Sequence, residues 1–109
     1  MAEPTIQQVF GAGATQNATT LTIAKADLAA VGLTASATNT AESLFVGLLL
    51  LARNTLTATN LDTNPDQSIS IEDSFDSLVT RNNQTFRQKT YSVNLQKLDT
   101  GATIDPDDY

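Results

Sequence analysis

The sequence predicts an α+β domain, with one central apolar helix packed on a small antiparallel sheet. That sheet contains a long C-terminal β-hairpin, and extended arms lie at the N- and C-terminal ends. Three observations predict it. An apolar run, Leu44–Ala52, follows a helix-capping pattern. Two segments that alternate polar and apolar, Ser68–Ile71 and Tyr91–Leu95, flank a turn signal at Asn82-Asn83. The acidic end carries Pro106, and the start runs into a loop of small residues, Gly11–Thr15. At 109 residues the chain has the length of one domain. It divides into an N-terminal arm and loop (1–18), a body (19–98) and an acidic tail (99–109).

Residues Thr5–Phe10 read as a short strand or extended arm. Ile6, Val9 and Phe10 would be wasteful in water, so the arm either frays or reaches onto a neighbouring subunit. Thr19–Ile23 alternates and favours β-structure. Lys25–Val31 gives one or two helical turns, and Gly32 is the natural stop. Residues 34–40 form a polar loop.

The central helix is expected from about Thr40 to about Leu56, with Asn39 as N-cap and Glu42 three residues on. Leu44-Phe45-Val46-Gly47-Leu48-Leu49-Leu50-Leu51 is apolar on every side. Such a helix must be covered on every side, and one sheet covers one face. Leu44, Phe45, Leu48 and Leu51 are therefore the expected contacts of a homo-oligomer. Gly47 costs about 1 kcal/mol relative to Ala in a helix interior, which points to a close approach there. The apolar run is shorter than the ~20 residues of a membrane span.

Residues 57–67 form a turn-rich connection. The hairpin then closes at Asn82-Asn83, pairing Val79 with Phe86 and Asp76 with Lys89. The alternation further out wants Ile71 opposite Val93 and Ile69 opposite Leu95. The two registers differ by one residue, so a β-bulge is expected near 73–76 or 87–90. The hairpin tip, with Asn82, Asn83 and Phe86, should project from the body. In the tail, Pro106 should bar helix. Tyr109 can anchor that tail on a neighbour, or the acids can stay solvated.

Composition argues against chemistry. There is no Cys and no His, which removes thiolate sites and the commonest general base and metal ligand. Ser-x-x-Lys does not occur. Gly11-Ala-Gly13-Ala-Thr-Gln16 lacks the third glycine of a dinucleotide fingerprint. Asp62-Thr-Asn64-Pro-Asp66 has the spacing of a calcium loop, but Gln67 stands where glycine is needed. The net charge is −6, and the six cations are scattered. Nucleic acid, membrane, cofactor, metal and small-molecule substrate are all disfavoured as partners. Charged residues make up only 17%, so the Thr- and Asn-rich surface is cheap to desolvate in a protein contact.

Four stretches resemble small structural proteins of tailed bacteriophages, above all those of cyanobacterial phages or prophages. They are Ile6–Thr15, Thr20–Leu28, Asn39–Phe45 and Ile104–Tyr109. The resemblance covers most of the chain and contains no diagnostic motif. It implies a non-enzymatic, many-copy component of the virion, assembled in the host cytoplasm. A capsid decoration (cement) protein contacting itself and a major capsid protein is the first expectation. A neck or tail element, or a module that binds protein or glycan through its hairpin tip, is the alternative. No functional residue is carried over from the family.

Overall fold

The computed structural model describes residues 2–98 and 103–109. The chain is α+β. In order it forms α1 (Ile6–Phe10), β1 (Thr15–Gln16), β2 (Leu21–Thr22) and a 3-10 helix (Lys25–Val31). There follow α2 (Ala41–Thr55), α3 (Ala58–Thr63) and four strands. These are β3 (Ile69–Asp73), β4 (Ser77–Arg81), β5 (Gln84–Gln88) and β6 (Tyr91–Leu95). A 3-10 turn at Pro106–Asp108 ends the chain.

The helices are set by threonine caps. Thr5, Thr40 and Thr57 each accept a hydrogen bond from the backbone N–H three residues on. Each such cap stabilises its helix by about 1 kcal/mol. Three expectations change here. Residues Ile6–Phe10 are helical, not an extended arm, because Thr5 and Gln8 form a complete capping box. The cap of α2 is Thr40, and Asn39 instead accepts from the Ser36 N–H at 2.9 Å and donates to the Thr34 carbonyl at 3.0 Å. The 57–67 connection also contains a helix that its turn-rich composition concealed. Asn60 Nδ2 donates to the free Thr55 carbonyl at the end of α2 at 2.8 Å, so the two helices meet at a shared junction. Thr5, Thr40, Thr57 and Asn60 therefore serve helix ends.

The core is thin. Among the described residues the buried apolar side chains are Ala14, Leu28, Leu56 and Ile71. Leu28 lies under α2 at Gly47, where an added Cβ would sit 3.3 Å from Leu28 Cδ1. The close approach expected at Gly47 is to this side chain. α1 packs on α2, and the Thr55 hydroxyl donates to the Gln8 carbonyl at 2.7 Å. Gly11 and Gly13 wrap around Asp27, whose carboxylate accepts from the Gly13 N–H at 2.7 Å. Gly11 has φ +107°, and a Cβ there would lie 2.5 Å from that of Asp27. This packing gives the glycine pair a structural role against Asp27. β1 and β2 pair antiparallel but stay exposed, and of the alternating segment Leu21 is 50% exposed while Ile23 is half-buried.

The hairpin has the expected register. Val79 faces Phe86 in the distal half, and Ile71 faces Val93 and Ile69 faces Leu95 in the proximal half. Between the halves, residues 74–76 oppose residues 89 and 90, so the extra residue falls within the window expected for a bulge. The ladder is broken there, leaving β3–β6 and β4–β5 as separate two-stranded sheets. Lys89 Nζ holds Asp76 at 3.0 Å across the break. Arg53 pairs with Asp73, tying α2 to the hairpin just before it. Asn82 and Asn83 both take positive φ, 53° and 59°, as a two-residue turn of mirror type requires.

Replacing Gly11 with Ala should destabilise the fold by about 1–3 kcal/mol, since the backbone there is left-handed and Asp27 fills the space. Chemical denaturation should show this, and Asp27→Ala should relieve only the carboxylate part of the clash, because its Cβ remains 2.5 Å away, while losing the hydrogen bond, so the two losses should add only in part.

Candidate functional site

Two surfaces are candidates, and both are apolar areas that the chain's own fold leaves uncovered. On α2 only Gly47 is buried. Phe45 is 60% exposed and Val46 52%. Leu44, Leu48 and Leu51, the other expected contacts, are half-buried. Val46 lines a groove of about 510 Å³ with Leu50 on one wall and Val31 and Leu33 on the other. Glu42 stands at its end, one turn before Val46. The capped start of α2 and the Gly32 stop of the preceding 3-10 helix create this groove. At Gly32 the chain takes φ 101° and turns away.

The second surface is the distal hairpin. Every residue of β4 is exposed, and in β5 only Phe86 is half-buried. Leu78 is 64% exposed. Arg81 lies over the Phe86 ring, 4.8 Å from its centre, so guanidinium and ring form one face with Val79. Ser77–Gln88 contains Arg81 and Arg87 and no acid, which puts +2 on the hairpin and −8 on the remaining residues, for the net −6. The cations are scattered along the sequence; strand pairing puts Arg81 on the Val79–Phe86 face of one ribbon and Arg87, opposite Leu78, on its other face.

The excess surface can be gauged. A folded monomer of 11.6 kDa is expected to expose about 5,800 Å². This chain exposes 7929 Å², an excess of about 2,000 Å² over that expectation. Its radius of gyration is 16.2 Å, against about 13 Å for a compact chain of this length.

The other expected contact residues lie elsewhere. Ile6, Val9 and Phe10 are half-buried on α1, where that helix meets α2. The end of the tail folds back: Lys97 Nζ donates to the Asp108 carboxylate at 2.8 Å and the Thr103 carbonyl at 3.0 Å. Tyr109 is half-buried there. Pro106 does not bar a helical turn but opens one, at the first position, where its missing N–H is not needed. Residues 99–102 of the expected arm lie outside the described residues.

Among the described residues no three acidic side chains converge as a metal site. Asp62 and Thr63 close α3, and Asn64 beyond them is taken up by hydrogen bonds with the Asp66 N–H and the Ala2 carbonyl. Ala41–Thr63, 23 residues, is long and apolar enough by composition to cross a bilayer. It is not one rod, because Leu56 ends α2 and Thr57 caps a new helix. The 15 residues of α2 rise only about 22 Å, short of the ~30 Å hydrocarbon core. No family model matches the chain, and neither a curated protein nor a solved structure matches it.

The hydrogen bond to Asp108 raises the Lys97 pKa above the ordinary 10.5. A raised lysine value means the contact is fully present at neutral pH and is lost only as pH climbs through that value. Carboxypeptidase should therefore remove Tyr109 slowly at neutral pH and quickly after Lys97→Met. An equal rate in both proteins would show that this ion pair does not hold the tail.

Proposed function

We propose that this chain is a non-enzymatic structural protein of a tailed-phage particle, a decoration (cement) protein that bridges neighbouring capsid subunits and associates with its own copies through α2. The observation that carries the reading is the uncovered apolar face around Phe45 and Val46, within an excess surface of about 2,000 Å². A standard protein interface covers about 800 Å² on each partner, so the excess fits a protein that is finished by its neighbours. The resemblance of four stretches to small phage structural proteins supports the particle as the setting. The acidic balance favours an outward position, away from packaged DNA.

The projecting hairpin favours a second reading. A two-residue Asn turn carried on exposed strands presents Asn82, Asn83 and Phe86 to a partner. That arrangement suits a neck or tail element, or a module that binds protein or glycan through the tip.

Purified particles from the source, digested and measured by mass spectrometry, should contain this chain in many copies relative to the major capsid protein. Its absence from particles would remove the cement reading. A glycan array bound through the hairpin would put the second reading in its place. Phe45→Ser combined with Val46→Asn should abolish self-association in analytical ultracentrifugation while leaving the circular dichroism spectrum unchanged. Unchanged self-association would show that α2 is not the contact.

A further inference from the structure

We infer that the α2 groove is covered by the distal hairpin of a second copy, so that copies join head to tail. The inference rests on the proposed self-association through α2 and adds what lies on that helix.

Three observations carry it. The first is area. The excess surface of about 2,000 Å² is more than twice the ~800 Å² that one partner contributes to a standard interface. A copy therefore has room for two contacts. A two-fold dimer uses one self-complementary patch, whereas a head-to-tail contact uses two different ones. The chain has two different ones, a concave apolar groove and a projecting ribbon.

The second is charge. The ribbon carries +2 on an otherwise acidic chain. Two ribbons brought together through the Val79–Phe86 face would set Arg81 against its own kind, with Arg87 on the opposite face adding to the shared positive charge, which like-charge repulsion penalises. A ribbon brought to the groove meets Glu42 and an acidic body.

The third is shape and chemistry. The groove is walled by Val31, Leu33, Val46 and Leu50, and the ribbon offers Val79 and Phe86 on one face beside Arg81. Arg81 is already held over Phe86, so the face is formed before contact and little side-chain freedom is lost on docking. In the complex Val79 and Phe86 enter the groove while Arg81 reaches Glu42. Repetition of this contact yields a ring where the rotation closes.

Two variants test it. Arg81→Glu with Arg87→Glu spoils the ribbon and keeps the groove. Glu42→Gln with Val46→Asn spoils the groove and keeps the ribbon. All four substitutions are at side chains with exposed or half-exposed surface, and circular dichroism checks that each variant is folded. In sedimentation each variant alone should associate more weakly than the wild type, by a factor of about ten at the least. Mixed together, they should form one-to-one dimers that grow no further, because one intact ribbon meets one intact groove. A ribbon variant that assembles like the wild type, or a mixture that stays monomeric while the groove variant has lost assembly, would overturn the head-to-tail contact and leave α2 packed on something else. A ribbon variant that keeps self-association but loses particle binding would give the ribbon a different protein as partner, and would also overturn it. A groove variant that assembles normally would remove self-association through α2 itself.

Discussion

A helix that is apolar all round is stable in water only as far as other surfaces lie on it. Here α1, the 3-10 helix with Leu28, and β3 approach α2 from different directions. They bury Gly47 and half-bury most of the leucines, and they leave Phe45 and Val46 bare. Strands Ile69–Leu95 form a hairpin whose distal half is exposed and adds no cover to α2. Both candidate surfaces follow from this one shortage of cover. The same shortage appears in the sheet. The helices lie over β3, and on β6 Val93 and Leu95 remain about half exposed.

Much of this was legible in the residues. The alternation of Ile69, Ile71, Val93 and Leu95 is incompatible with a continuous register from the Asn82-Asn83 turn, and the extra residue sits where that conflict placed it. Gly32 and the apolar run of α2 were equally plain. The short helices were not. A helix of five or six residues spans too few turns to show a hydrophobic period, so Ile6–Phe10 read as extended. Its signal lay in the cap, Thr5-x-x-Gln8, and the same threonine signal recurs at Thr57. Pro106 misled because its effect depends on position. Inside a helix it removes a needed N–H, and at the first residue it removes nothing.

The candidate site was half legible. An all-round apolar run announces that cover is needed but has no polar face to say which side lacks it. Only the long-range placement of Leu28, α1 and β3 singles out Phe45 and Val46, and Val46 was therefore not among the expected contacts. The charge of the ribbon was hidden for a similar reason. Arg81 and Arg87 are six positions apart among scattered cations. They become a surface feature when strand pairing sets Ser77–Gln88, a segment with no acid of its own, beyond the Asp76–Lys89 ion pair.

The most direct measurement is thermal unfolding followed over a thousandfold range of protein concentration. Association that shields α2 stabilises the folded form by mass action, so the midpoint should climb steadily as the protein is concentrated. A midpoint that stays constant over the whole range would mean that copies of this chain do not shield one another's α2, and self-association through that helix would be wrong.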